Sequence, residues 1–202
     1  DTPMGEQKIH CDLVLVAAGV QGNIEGLGLD KVDVEIDRGF VSINERMGTS
    51  ISSIHAIGDV TGKMLLAHVA SSQGIMLVES IAGEEPPEIE YNLMPKATYC
   101  YPQVTSFGLT EEEAQKQGYK VSVGKFPFQA NGKALALGDQ NGFVKIIADA
   151  SIGEILGAHM IGPEVTEFLP ELMMTKLLEG GITELGWLVH SHPTLSERVS
   201  QT

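Results

Sequence analysis

The segment at residues 84–91 constrains the fold most strongly, because it reads Glu-Glu-Pro-Pro-Glu-Ile-Glu-Tyr. Its two prolines interrupt helices and strands, and its four acidic side chains resist burial. We therefore interpret this segment as a linker. The linker divides the 202-residue chain into two parts, each long enough to bury a core of its own.

The part before the linker combines strand and helix patterns, as an α/β fold requires. Continuous apolar runs at residues 11–19 and 51–57 predict strands that are buried in a parallel sheet. Alternation of polar and apolar residues over 33–44 predicts short, half-exposed strands. Apolar residues recurring through 65–82 predict a helix that ends at Gly83.

The part after the linker predicts an α+β fold with an antiparallel sheet. The sequence Thr110-Glu-Glu-Glu113 is a capping box, which opens a short helix. Apolar positions at helical spacing predict a longer helix that starts near Pro163 and runs through Pro170. Four strand-like segments separated by turn residues predict an antiparallel meander: 121–128, 134–137, 143–148 and 154–161.

Charge and cysteine usage limit the partners and the compartment. The chain has 13 Lys and Arg against 27 Asp and Glu, a net charge of −14, so we expect neither nucleic acid nor a membrane surface as a partner. The longest apolar run, residues 13–20, is too short to span a bilayer, and no secretory signal pattern occurs. The two distant cysteines, Cys11 and Cys100, fit neither a disulfide framework nor a metal site. These features predict a cytoplasmic protein without a bound metal.

The strongest chemical motif is His190-Ser-His-Pro-Thr-Leu-Ser-Glu197. A carboxylate five residues beyond His192 is able to fix the tautomer of the imidazole and raise its basicity, which suits proton transfer at the other ring nitrogen. Residues 194–197 also form a capping-box pattern, in which Glu197 would bond the backbone at a helix start. The spacing leaves both interpretations open. The remaining histidines near apolar segments are more typical of structural residues: His68, His159 and His190.

A second motif joins a predicted strand to Gly58 and Asp59, before the predicted helix at 65–82. Ligands of α/β sheets bind at the carboxyl ends of strands, and a glycine there allows close approach to the backbone. The carboxylate of Asp59 is able to accept hydrogen bonds from sugar-like hydroxyl groups. The alternative is that Asp59 only caps a turn.

These two motifs, in this order, resemble the C-terminal part of the flavin-dependent disulfide oxidoreductases, and most closely the dihydrolipoamide dehydrogenases among them. That family ends in a His-x-His-Pro-Thr-Leu-Ser-Glu element, which residues 190–197 match without a gap. Its second flavin motif, a Thr followed by an apolar stretch and Ala-Ile-Gly-Asp, matches residues 49–59. Further matches extend the resemblance over nearly the whole chain: 65–68, 101–104, 108–112, 124–128 and 157–163.

The resemblance implies a domain organisation. Residues 1–18 would be the tail of the NAD-binding domain, residues 19–92 the second part of the FAD-binding domain, and residues 93–202 the α+β dimerisation domain. The first glycine-rich FAD motif, the NAD motif and the redox cysteine pair of the family do not occur in this sequence. We therefore expect the chain to be a C-terminal fragment of a larger enzyme.

The resemblance also implies roles for individual residues. His192 would take the thiol proton of the substrate, and Glu197 would be its carboxylate partner. Asp59 would bond the ribityl chain of FAD, and Gly19 would lie near NAD. The residues expected at the flavin ring are Leu65, Leu66, Ala67 and His68.

The activity implied by the resemblance is oxidation of protein-bound dihydrolipoamide to lipoamide, with FAD as cofactor and NAD as electron acceptor. Its partners would be the lipoyl-bearing proteins of 2-oxo acid dehydrogenase-type complexes, and its role redox homeostasis. We also expect a homodimer through residues 93–202. One helix covers only part of a sheet, which would leave an apolar patch at Ile146, Ile155 and Met160.

Two alternatives remain open. The chain could act as a dimerisation module without turnover of its own. It could also belong to a related glutathione or mercuric reductase, although the His-x-His pair and Leu195 favour lipoamide.

Overall fold

A computed structural model describes residues 5–202. The chain divides into two compact units, Asp1–Ile89 and Glu90–Thr202. The boundary lies inside the proline- and acid-rich segment at 84–91, in which residues 84–90 form neither helix nor strand. The finer assignment of residues 1–18, 19–92 and 93–202 to three functional domains stays a prediction.

The first unit is built on one long helix. Two short strands form within the predicted stretch 33–44, β1 (Ile36–Asp37) and β2 (Phe40–Val41), and the structure pairs them antiparallel. Helix α1 (Ala67–Ile81) confirms the predicted helix, and Gly83 follows it with a positive φ of 92°. Two 3-10 turns, Leu29–Val32 and Gly58–Thr61, complete the unit. Its buried apolar side chains are Val34, Val41, Met47, Val69 and Met76.

Two predicted strands of this unit are wrong. Residues 11–19 form no strand, and the side chains of Leu13 and Leu15 are each 90% exposed. A buried parallel strand needs hydrogen-bonded neighbours, and no strand among residues 5–202 pairs with this segment. The second wrong prediction is the strand at 51–57. Residues 51–54 form a turn instead, because the Thr49 hydroxyl donates to the carbonyl of Ile54 and accepts from the N–H of Ile51.

The second unit contains a five-stranded antiparallel sheet in the order β3-β4-β7-β6-β5. Strands β5, β6 and β7 form the predicted meander, and β4 adds to the free edge of β7. Strands β3 and β4 are not predicted by any pattern described above. The strands are β3 (Lys96–Thr98), β4 (Gln103–Gly108), β5 (Val121–Pro127), β6 (Phe143–Asp149) and β7 (Ile155–Gly162).

The helices of this unit are α2 (Glu111–Lys116), α3 (Gly132–Leu137), α4 (Val165–Leu177), α5 (Ile182–Trp187) and α6 (Glu197–Ser200). The capping box of Thr110 and Glu113 opens α2, and α4 runs through Pro170, as predicted. The prediction of a strand at 134–137 is wrong. Asn131 accepts the N–H of Ala134 at 2.8 Å and caps a helix there instead.

The core of the second unit lies where α4 packs on β4 and β7. Leu169 and Leu172 of α4 are buried there. The apolar patch expected at Ile146, Ile155 and Met160 is not exposed, because all three side chains belong to this core. Helices α4, α5 and α6 together cover the apolar face of the sheet, which a single helix could not. They contribute Leu172, Leu185 and Val199 to the core.

Among residues 5–202, no helix has both the length and the apolar character that crossing a membrane requires.

Replacing Leu172 by Ala tests the importance of α4 for this core. The buried side chain leaves a cavity when it is truncated, so unfolding should require about 2–5 kcal/mol less free energy than in the wild type. Leu177→Ala, at an exposed position of the same helix, is the matched control and should change stability by about 0.5 kcal/mol or less. Urea unfolding followed by circular dichroism measures both. Equal effects of the two substitutions would contradict the packing described here.

Candidate active site

The histidine motif lies between α5 and α6, in a loop of residues 188–196 that we call the histidine loop. Nδ1 of His192 lies 2.9 Å from Oε1 of Glu197, the first residue of α6. The His192 side chain is 77% exposed, whereas that of Glu197 is 12% exposed. The carboxylate is therefore held within the fold, and the imidazole projects from it.

The two oxygens of Glu197 serve two donors. Oε1 contacts His192, and Oε2 accepts the backbone N–H of Thr194 at 2.9 Å. The Thr194 hydroxyl donates to the carbonyl of Ser191 at 2.8 Å. Glu197 thus accepts the N–H of Thr194 and pairs with His192 at the same time. The predicted capping box itself does not form, because the N-cap of α6 is Ser196, no side chain caps it, and the Thr194 hydroxyl bonds Ser191 instead.

The electrostatics of the pair determine the tautomer of His192. The N–H of Thr194 lowers the pKa of Glu197 most, and the hydrogen bond to His192 lowers that pKa further. Glu197 is therefore ionised at neutral pH and acts only as an acceptor. Nδ1 of His192 must then donate, which leaves the lone pair on Nε2 of a neutral ring. An exposed imidazole with this lone pair is suited to accept a proton.

A buried asparagine anchors the far end of the histidine loop. Nδ2 of Asn131 donates to the carbonyl of Thr194 at 3.0 Å, while its Oδ1 caps α3. Asn131 is completely buried, and the sequence analysis missed it. The signal was present in the pattern Asn131-Gly-Lys-Ala134, but a cap has meaning only where the following residues form a helix.

Buried side chains within α6 and just before it pack helix α6 against the core. Leu195 and Val199 join the core. The guanidinium of Arg198 lies 4.3 Å from the centre of the Phe126 ring, and burial lowers the pKa of Arg198 while the charge of Glu197 raises it. This packing holds the backbone that carries Glu197.

The second motif lies in the first unit, at the turn Gly58–Thr61 against α1. Gly58 has a φ of +73°, and a Cβ there would lie 3.2 Å from the Cβ of Ala70. Its N–H donates to Oε1 of the buried Gln73 at 2.6 Å. The sequence analysis missed Gln73, although it is a polar residue between Val69 and Met76 on the buried face of α1.

Asp59 is placed on the exposed side of this turn, next to α1. Leu66 is the residue that precedes α1, and no side chain caps the start of the helix. The expected flavin-ring residues Leu65, Ala67 and His68 are exposed, and Leu66 is half-buried. Asp59, Leu65, Ala67 and His68 are thus open to solvent, and their expected contacts with FAD stay a prediction.

Gly19 lies in the exposed segment that follows residues 11–18. It has a φ of +119°, and a Cβ placed there would meet no atom within 4 Å. The backbone is therefore open at this position, and its expected nearness to NAD stays a prediction.

Two family models match this chain. The pyridine nucleotide-disulphide oxidoreductase model matches residues 2–74, and the dimerisation domain model of the same family matches residues 94–202. The chain belongs to the pyridine nucleotide-disulphide oxidoreductase family, whose dimerisation domain supplies its second unit.

Within that family, the chain is similar to curated dihydrolipoyl dehydrogenases. It is 52% identical over 198 residues to the enzyme of Mycobacterium leprae and 48% identical over 188 residues to that of Bacillus subtilis. These alignments cover 96% and 93% of this chain but only 42% and 40% of the relatives. The chain thus spans about two fifths of the length of these relatives.

Solved structures have the same fold. LpdA from Mycobacterium tuberculosis superposes with a TM-score of 0.83 at 24% identity, over 90% of this chain and 40% of that one. The HOCl-induced flavoprotein disulfide reductase RclA from Escherichia coli superposes with a TM-score of 0.86 at 22% identity, over 92% of this chain and 43% of that one. At these identities the likeness supports the fold alone.

Substituting Glu197 by Gln should destabilise the second unit in a pH-dependent way. Because the pKa of Glu197 is lower in the folded than in the unfolded state, the carboxylate stabilises the fold above its unfolded pKa, and this contribution is lost as pH falls through the folded pKa. The difference in urea midpoint between the wild type and the variant should have its largest value at pH 7 and should decrease below about pH 4.

Glu112→Gln is the control for this titration. Glu112 pairs with Lys116 on the exposed face of α2, and such pairs contribute little to stability. Its urea midpoint should stay close to that of the wild type at every pH. A difference in urea midpoint for Glu197→Gln that does not change between pH 7 and pH 3 would contradict the hydrogen bonds assigned to Glu197.

Proposed function

We propose that this chain is part of a dihydrolipoyl dehydrogenase, which oxidises protein-bound dihydrolipoamide to lipoamide with NAD as electron acceptor. The observation that carries the proposal is the His192–Glu197 pair, because a bond from Nδ1–H to the carboxylate leaves the Nε2 of an exposed imidazole available as a base. The similarity to curated dihydrolipoyl dehydrogenases supports the choice of substrate.

In this proposal His192 moves the proton. Nε2 takes the proton from a thiol of dihydrolipoamide, and the ring becomes an imidazolium. The carboxylate of Glu197, which already accepts the Nδ1–H, stabilises that positive charge. Thr194 and Asn131 hold the carboxylate and the loop while the charge changes, so little reorganisation is needed.

We also propose that the first unit contributes to FAD and NAD binding. Asp59 would hold the hydroxyl groups of the ribityl chain, and residues 65–68 would lie at the flavin ring. Gly19 would lie near NAD. Bound FAD would supply a two-electron carrier between the substrate thiols and NAD.

The second unit is proposed to form a homodimer. Three consecutive apolar residues, Trp187, Leu188 and Val189, are exposed at the start of the histidine loop. An exposed apolar run of this kind is typical of protein interfaces, and two-fold dimers are the commonest solution. In the cytoplasm, the lipoyl-bearing proteins of 2-oxo acid dehydrogenase-type complexes would be the partners of this enzyme.

A second candidate function is that of a dimerisation module without turnover. The 77% exposure of His192 favours it, because no other part of residues 5–202 encloses the imidazole. A base this open would need further residues or a second copy to exclude water from the reaction.

Replacing His192 by Gln in the full-length enzyme that contains this sequence tests the base. Turnover of dihydrolipoamide should fall by about 10²–10⁴-fold, the usual contribution of a general base. NADH formation followed by its absorbance measures the rate. His159→Gln is the control, because its ring bonds the carbonyl of Leu109 and not the histidine loop. Near-normal turnover of His192→Gln would show that His192 is not the base and that Glu197 serves only to hold the loop through the N–H of Thr194.

Replacing Val189 by Asp tests the dimer. The wild-type chain should have a mass in light scattering near twice the monomer mass of 21.6 kDa, and the variant should return to the monomer mass. Ile152→Asp is the control, since Ile152 is an equally apolar, exposed residue in the turn between β6 and β7. A wild-type mass near 21.6 kDa at micromolar concentration would contradict the dimer.

A further inference from the structure

The histidine loop contains a second histidine–glutamate pair, whose histidine comes two residues before His192. Nε2 of His190 is 2.8 Å from Oε1 of Glu171, which belongs to helix α4. The His190 side chain is only 8% exposed and that of Glu171 is 24% exposed. The pair therefore joins the histidine loop to a helix whose Leu169 and Leu172 are part of the core.

The two histidines of the motif have opposite surroundings. His192 is open to solvent, whereas Nδ1 of His190 is buried and has no hydrogen-bond partner among residues 5–202. A ring that is enclosed on this side and bonded to Glu171 on the other cannot exchange protons with a substrate. Its directional bond does fix the position of the backbone two residues before His192.

The histidine loop has little else to hold it at this end. Val189 is exposed, and so is His192 itself. The other end is bonded through the carbonyl of Thr194 to Asn131. His192 thus lies between two bonded positions of the loop. The first is His190, which bonds Glu171 of α4, and the second is Thr194, which bonds Asn131.

We propose that His190 is a positioning residue, which Glu171 holds on α4 so that Nδ1 of His192 stays in contact with Glu197. This inference rests on the proposed function, in which His192 acts as a base. An apolar residue of similar size would fill the same space, but it would lack the bond that sets the direction of the loop. The His190 bond therefore acts through the tautomer of His192, which determines whether Nε2 carries the lone pair.

Nitrogen-15 NMR of the histidine rings in the 202-residue chain tests this proposal. At a pH where an ordinary imidazole is neutral, the correlation of ring nitrogens with ring protons reports which nitrogen carries the proton. In the wild type His192 should be the Nδ1–H form. In Glu171→Gln and His190→Phe the ratio of Nδ1–H to Nε2–H should fall about fivefold, which corresponds to one ordinary hydrogen bond.

His159→Phe is the matched control, because it removes a half-buried histidine that bonds the carbonyl of Leu109 on the sheet. Its His192 ratio should equal that of the wild type. An unchanged ratio in both Glu171→Gln and His190→Phe would overturn the proposal. Loss of the folded sheet signals in both variants would also overturn it, because the pair would then maintain the fold and not the loop.

The outcome is separable from the test of the proposed function. The tautomer is measured in the chain itself and needs neither FAD nor substrate. A changed tautomer together with normal turnover of the full-length His192→Gln enzyme would refute the base and leave the positioning role intact. An unchanged tautomer together with lost turnover would refute the positioning role alone.

Discussion

The carboxylate of Glu197 is the group on which the candidate active site depends. One oxygen accepts the backbone N–H of Thr194 in the loop before α6, and the other receives the Nδ1–H of His192. The two donors lower the pKa of the carboxylate against the opposing effect of burial, so it is ionised at neutral pH, and their bonds fix its direction. The tautomer of an exposed histidine thus follows from a carboxylate that a short helix presents at its first residue.

The core of the second unit supports that carboxylate indirectly. Helix α6 is joined to the core by Leu195 and Val199, and the loop before it is anchored by Asn131. The first unit follows the same principle on a smaller scale. There the buried amide of Gln73 satisfies the N–H of Gly58 and holds the turn that carries Asp59. In both units a buried polar side chain satisfies a backbone group close to the exposed candidate residue.

The meander, helix α1, the capping box and the long helix could be predicted, because each depends on residues close together in the chain. The conformation of residues 11–19 could not be predicted, because a buried strand depends on partners outside the segment. The turn at residues 51–54 could not be predicted either, since the hydroxyl of Thr49 bonds a backbone carbonyl that a strand would pair with a neighbouring strand. The helix at Gly132–Leu137 was missed because four residues are too few to separate a strand from a helix by periodicity.

The sequence by itself determined that His192 and Glu197 are close enough along the chain to pair, because only five residues separate them. Only the tertiary structure decided which histidine of the motif is enclosed and which is exposed. Glu171 lies 19 residues before His190, so no local pattern relates them. Their pairing exists because α4 packs on the sheet and brings its carboxylate to the loop, and burial of a polar ring is stable only where such a partner is supplied.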